Sequence, residues 1–172
     1  MKKGRQRLLW AVLPAAVLLL AAWIVWGVWR SANRPAARTW QVEAGLPVRL
    51  AVLSDLHGSV FGEQNSELAA LVAEQRPDLI LLDGDMLNGS ADSAEPLLEL
   101  IGRLVEIAPV YYAWGNHELE YMDRGGSDLR AQVEALGAVV LELEYVDLTV
   151  NGAQLRLGGM YDYAFALDNY NS

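Results

Sequence analysis

Val48-Arg49-Leu50-Ala51-Val52-Leu53-Ser54-Asp55-Leu56-His57 is a β-rich apolar run that passes straight into a turn bearing a carboxylate and an imidazole. The same arrangement returns twice. Leu79-Ile80-Leu81-Leu82 leads into Asp83-Gly84-Asp85, and Val110 to Trp114 leads into Gly115-Asn116-His117-Glu118. Metal-ligand side chains thus recur at the carboxyl ends of three successive predicted strands, the edge at which open α/β sheets bind ligands.

The segments between these stretches read as helices. Asn65 and Ser66 offer caps for a helix running to about Gln75, with Leu68, Leu71 and Val72 on one face. Leu97, Leu98, Ile101, Leu104 and Val105 mark a second amphipathic helix, which Pro109 stops. A third runs from about Asp128 to Leu136 and ends at Gly137. The first strand, Val48 to Leu53, is expected to be largely buried, and Leu79 to Leu82 to be an interior parallel strand. Val139 to Leu143 gives a fourth strand. Tyr145 to Val150 and Gln154 to Leu157 then pair around Asn151-Gly152 as a hairpin. The order β-α-β-α-β-α-β followed by β-β places the chain in the α/β class.

Ahead of this body, residues 8–29 form 22 consecutive positions without a formal charge. About 20 helical residues cross a bilayer core, whereas the apolar region of a signal peptide is usually about 7–15 residues. Trp10 near one end and Trp23, Trp26 and Trp29 toward the other suit the headgroup level. The expectation is a basic N-terminus and uncleaved transmembrane anchor over 1–30, a linker over 31–47 and a globular domain over 48–172, with a cleaved signal as the nearest alternative. Lys2, Lys3, Arg5 and Arg7 precede the span, and Arg30, Arg34 and Arg38 follow it. The positive-inside bias keeps the N-terminus cytoplasmic and sends the domain outside, as a single-pass protein of the cell membrane.

Charge is divided sharply. Residues 1–38 hold seven of the 13 basic residues and no acid, so residues 39–172 carry six basic and all 22 acidic residues, a net charge of −16. Such a domain repels phosphate backbones, which argues against nucleic acid as a partner. Cysteine is absent, so disulfides and thiolate metal sites are excluded.

Asp55 and His57 stand two residues apart on a strand-end turn, a spacing that can aim both side chains the same way. A carboxylate with an imidazole suits Mn, Fe or Zn better than Ca. Gly84 lets the backbone turn tightly before Asp85. Each motif alone is weak. In combination they are specific, because the chain's two histidines both fall inside them and the motifs lie one β-α unit apart, 28 residues from His57 to Asp85 and 31 from Asp85 to Asn116.

With these residues in place, the chain resembles the calcineurin-like metallophosphoesterase family. Its signature runs Asp-x-His, Gly-Asp, Gly-Asn-His-(Asp/Glu), a lone His and Gly-His-x-His. The first three blocks stand here as Asp55-Leu56-His57, Gly84-Asp85 and Gly115-Asn116-His117-Glu118. The apolar span plus Ser54-Asp55-Leu56-His57 is similar to the membrane-associated bacterial branch. The resemblance implies an α/β/β/α sandwich and two divalent ions (Mn, Fe or Zn). It implies Asp55 and His57 as ligands of the first ion, Asp85 as the bridge and Asn116 as a ligand of the second. His117 would be the catalytic group facing the phosphate, not a ligand. The implied reaction is hydrolysis of a phosphate ester or pyrophosphate by metal-activated hydroxide, on a phosphorylated small molecule or a lipid-linked substrate.

Three positions depart from the pattern. Asn88 stands where family members often carry an acid. Glu118 replaces the commoner Asp and is expected to orient or support its neighbours. No histidine follows His117, so the last two blocks are missing. The expectation is therefore the N-terminal portion of a sandwich, incomplete at its C-terminus, binding metal weakly and hydrolysing little as it stands. The alternative is a catalytically incompetent, membrane-tethered binding module that retains half of the fold. Asp83 reads as a flanking residue, Asp123 as loop solvation, Asp128 as a helix N-terminal charge, and Tyr161-Asp162-Tyr163 as an aromatic cluster.

Overall fold

The computed structural model describes residues 16–28, 34–125 and 128–160. It divides into two compact units, Met1–Pro35 and Ala36–Ser172. In the first, residues 16–28 are helical (α1). Large apolar side chains, among them Val17, Leu19, Leu20, Trp23, Val25 and Val28, are exposed all along it. At about 1.5 Å per residue this helix is roughly 20 Å long. Among the described residues no helix is long and apolar enough to cross a membrane. The rest of the predicted 8–29 span lies outside the described residues.

The second unit runs β1 (Leu50–Leu53), α2 (Ser66–Gln75), β2 (Leu79–Asp83), α3 (Glu95–Leu104), β3 (Val110–Ala113), α4 (Asn116–Asp123), α5 (Leu129–Ala135), β4 (Val139–Val140), β5 (Glu144–Val150) and β6 (Ala153–Gly159). The first four strands form a parallel sheet in sequential order. Parallel neighbours need crossover connections, and the predicted helices supply them.

The register explains the core. Leu53 pairs with Leu82, Leu82 with Tyr112 and Tyr112 with Val140, so these four side chains form one row across the sheet. All four are buried. Leu68 and Val72 of α2, Leu97, Leu100, Ile101 and Leu104 of α3, and Leu129 and Val133 of α5 pack with them in one cluster. The helices thus cover a single face. The opposite row, Val52, Leu81, Tyr111 and Val139, is shifted by one residue and points the other way. Its end members remain exposed, Val52 at 59% and Val139 at 42%.

Several expectations change here. The first strand is not largely buried. It is the edge strand β1, in which only Leu53 is buried while Leu50 and Val52 face outward. The fourth strand stops at Val140 rather than at Leu143, which takes a left-handed conformation at φ +55°. Residues 116–123, unassigned by pattern, form α4. Of the α/β/β/α sandwich, the described residues show one helical layer, the parallel sheet and a separate two-stranded ribbon, β5–β6.

Other expectations hold. β2 is interior, between β1 and β3. Asp128 caps α5, its Oδ1 accepting from Ala131 N at 3.1 Å. Asn151 (φ +50°) and Gly152 (φ +79°) turn the hairpin with both central residues at positive φ, as a type I′ turn requires. The Asn151 amide then donates to Pro47 O (3.0 Å) and Asp78 Oδ1 (2.8 Å), fastening the hairpin tip beside the start of the sheet. Tyr161-Asp162-Tyr163 lies outside the described residues.

Candidate metal centre

The parallel sheet brings three strand-end loops to one edge, and backbone hydrogen bonds join them. After β1, Asp55 N donates to Gly84 O (3.2 Å), His57 N to Asp85 O (2.9 Å) and Gly58 N to Met86 O (2.9 Å). The β1 loop therefore continues the ladder against the β2 loop beyond the end of both strands. It does so with unusual dihedrals, since Asp55, His57 and Asp85 all sit at positive φ, +55°, +48° and +52°. Non-glycine residues seldom adopt that region, and such strain clusters at functional sites.

Two glycines allow the second and third loops to touch. Gly84, at φ +71°, approaches so closely that an added Cβ would lie 2.8 Å from both Gly115 N and Cα. A Cβ on Gly115 would in turn collide with the Asp85 carboxylate. The sequence placed Gly84 correctly as a tight turn, and its partner in the close approach is Gly115.

One buried carboxylate holds the two loops together. Glu118 is fully buried. Its Oε2 accepts from Asp85 N (2.8 Å) and Gly115 N (2.8 Å), and its Oε1 from Leu87 N (2.9 Å). Reaching back from the first turn of α4 to its cap residue is half of a capping box. The other two bonds cross to the β2 loop. Asp85 reciprocates, its Oδ1 accepting from His117 N at 3.1 Å, which sets a carboxylate on the N-terminus of α4 where the helix dipole favours it. Tyr112 lies beneath, edge-on to Trp114 at 4.6 Å. Burial pushes its phenol well above the ordinary range, and the charges of Glu118 and Asp85 push the same way. Its hydroxyl finds no acceptor at hydrogen-bonding geometry, although the Glu118 carboxylate lies beside it.

The predicted ligands come together in part. His57, Asp85 and His117 each offer a ligand atom, and these atoms lie within 4.8 Å of one another. The two imidazoles meet edge to face, with ring centroids 4.9 Å apart. Asp55 stands at the outer rim, its Oδ1 3.8 Å from His57 Nε2. Asn116 is the first residue of α4 and is half-buried beside the cluster's His117. The grouping differs from the expectation in two respects: His117 belongs to the geometric cluster, whereas the resemblance made it a neighbour of the metals and not a ligand, and Asp55, expected beside His57 on the first ion, lies outside it. Two imidazole nitrogens with a carboxylate oxygen form a donor set that suits a first-row divalent ion.

Two participants escaped the sequence reading. His117 Nδ1 is approached by Gly89 N at 3.2 Å and by Glu120 Oε2 at 3.1 Å. Recognising α4 would have revealed Glu120, since residues three apart on a helix are neighbours. Gly89 left no signal beyond its place in a polar loop.

The calcineurin-like phosphoesterase profile matches residues 48–167, and the chain belongs to that family. It is 29% identical over 125 residues to an uncharacterized Bacillus subtilis protein, YpbG, covering 72% of this chain and 46% of that one. It is 32% identical over 124 residues to the Escherichia coli phosphodiesterase YaeI, covering 67% and 44%. It is 29% identical over 127 residues to the uncharacterized B. subtilis metallophosphoesterase YkoQ, covering 70% and 47%. The chain thus spans just under half the length of each of these curated relatives.

Proposed function

We propose that this chain is the metal-binding part of a membrane-anchored phosphoesterase acting on a phosphate ester or pyrophosphate. The observation that carries the reading is the convergence of His57, Asp85 and His117, from three separate strand ends, within 4.8 Å. Asp55, His57, Asp85 and Asn116 would hold divalent ions, of Mn, Fe or Zn. Bound there, such ions supply an activated water and neutralise phosphoryl oxygens.

The chain's own residues do the rest. Asp85 receives the His117 backbone N–H, so the carboxylate and the helix carrying the imidazole move as one body. Glu118 fixes the backbone on both sides of Asp85. His117 presents an imidazole able to hold a proton at Nε2 for a departing alkoxide. The net charge of −16 over residues 39–172 leaves cations as the means of attracting an anionic substrate.

The membrane part of the proposal rests on the uncharged stretch 8–29 and on the all-round apolar surface of the described helix 16–28. A helix apolar on every side wants a nonaqueous neighbour. With four basic residues before the stretch, the domain lies outside the cytoplasm, within reach of lipid-linked phosphates. A relative named as a phosphodiesterase supports a diester among the substrates.

The test is Mn2+ binding by calorimetry, together with Mn2+-dependent release of p-nitrophenol from mono- and bis(p-nitrophenyl) phosphate, for the wild-type chain and Asp85→Asn. Binding lost in the variant supports the reading, and turnover lost with it supports the enzymatic part. Binding without turnover in the wild type favours the second reading, a membrane-tethered binding module. Wild-type affinity in Asp85→Asn refutes the metal-centre reading.

A further inference from the structure

We propose that the groove between the loop after β2 and the end of α4 is a subsite for an uncharged, polyhydroxylated group, held by the Tyr121 hydroxyl and the Arg124 guanidinium. Under the phosphoesterase reading, on which this part rests, that group is the alcohol half of the ester.

The groove encloses about 770 Å³, within the range of small-molecule sites. Asp92, Glu95, Glu99, Tyr121, Arg124 and Gln132 are among the side chains that line it. It is separate from the ion cluster yet built on the same two elements. Gly89 of the loop reaches His117 at 3.2 Å, and two residues further on Ala91 O accepts from Arg124 Nη2 at 3.1 Å. Along α4, Tyr121 and Arg124 follow His117 by four and seven residues, so the three side chains form one stripe. At about 1.5 Å per residue, the groove begins roughly 6 Å along the helix from His117.

Tyr121 is the residue that points to a ligand. It is 6% exposed and packs in the core. Its hydroxyl makes no hydrogen bond among the described residues, and it is not sealed off as the Tyr112 hydroxyl is. A tyrosine buried this deeply usually finds a partner for its hydroxyl. Here the groove is the space from which a partner can come. Arg124 is under-used in the same way. Among the described residues its guanidinium meets one acceptor, Ala91 O, and no carboxylate.

The mixture of groups selects the class of ligand. Carboxylates only accept, a guanidinium only donates and a phenol does both. A second phosphate would meet Arg124 but also Asp92, Glu95 and Glu99. An ammonium group would meet those carboxylates and face Arg124 as a like charge. A hydroxyl both donates and accepts, so a polyol serves both sets of side chains with no net charge to desolvate.

The experiment follows the 1H–15N signals of the whole chain in detergent micelles during titration with myo-inositol, with choline and with inorganic phosphate. Inositol should give saturable shifts at Ala91, Asp92, Arg124 and Gln132. Tyr121→Phe should weaken this binding about 2–10-fold, the worth of one neutral hydrogen bond, and leave the urea unfolding midpoint unchanged, because the hydroxyl has no partner to lose. Arg124→Gln should weaken it about 10–100-fold, as for a bond to a charged group. With Mn2+ present, myo-inositol monophosphate should bind at least about tenfold more tightly than inositol, since groove and ion cluster are then engaged together. Absence of saturable groove shifts with inositol overturns the proposal. So do groove shifts with choline or phosphate in place of inositol, and unchanged inositol affinity in both variants. Equal affinity for inositol and its phosphate in a chain that binds Mn2+ overturns the assignment of the group to the ester. Failure to bind Mn2+ refutes the phosphoesterase reading instead, and the inositol titration then decides the groove by itself.

Discussion

Glu118→Gln is the most informative single change in this molecule. Glu118 is 0% exposed and accepts three backbone N–H bonds with its two oxygens. Glutamine is isosteric but has one oxygen. If that oxygen takes the Oε2 position, the bonds from Asp85 N and Gly115 N survive without charge assistance, and the amide group faces Leu87 N donor to donor. Leaving one buried N–H unsatisfied costs about 1–3 kcal/mol, and two bonds reduced from charged to neutral strength add about 1–2 kcal/mol. Relief from burying an anion offsets part of this, so a net loss of about 2–4 kcal/mol is expected. The damage falls on Asp85, Leu87 and Gly115, so amide exchange reads it directly. At 1.4 kcal/mol per factor of ten, those three N–H groups should exchange about 30–1,000-fold faster. Mn2+ affinity should fall as well, because the Asp85 backbone is no longer pinned. Unchanged exchange at all three amides, with unchanged Mn2+ affinity, would refute the view that this carboxylate fastens the β2 loop to α4.

Gly115→Ala should weaken Mn2+ binding about 10–100-fold in a calorimetric titration, because its Cβ would lie 2.8 Å from Asp85 Cγ and displace the carboxylate. Asn65→Ala should lower stability by about 1–3 kcal/mol in urea unfolding, since this fully buried side chain accepts from Phe61 N and donates to Pro96 O, tying the loop before α2 to the start of α3. Acid should loosen the hairpin tip. The Arg49 backbone N–H, then the Asn151 amide, hold the Asp78 carboxyl below its ordinary range. A pKa lower in the folded state means that the stabilisation is complete above the unfolded value of about 3.9 and is lost as pH falls through the folded pKa. Carbon-13 titration of Asp78 should therefore show a midpoint below that of a free aspartate. Amide exchange around Asn151 should rise through the same pH window and lose that dependence in Asp78→Asn.

What the sequence discloses and what it conceals divide along a physical line. Apolar runs and ligand-type residues are local patterns, so β2, the crossover helices and the three motif blocks can be read one residue at a time. The burial of β1 is a different kind of quantity. Val52 belongs to an apolar run, yet it is 59% exposed, because exposure depends on which elements cover the second sheet face and not on the run itself. The site divides in the same way. Asp55, His57, Asp85, Asn116 and His117 carry chemistry by residue type and are visible from spacing. Glu118 and Glu120 are both acids on α4, and their types alone do not separate them. Their positions on the helix do, because Glu118 turns inward onto three backbone N–H groups while Glu120 remains at the surface beside His117. The hundred degrees that each residue advances around a helix thus decides which carboxylate supports the metal loop and which one addresses the imidazole. α4 has a weak apolar pattern because its first turn is committed to the site, and so the helix that sorts these roles is also the one that hydrophobic periodicity passes over.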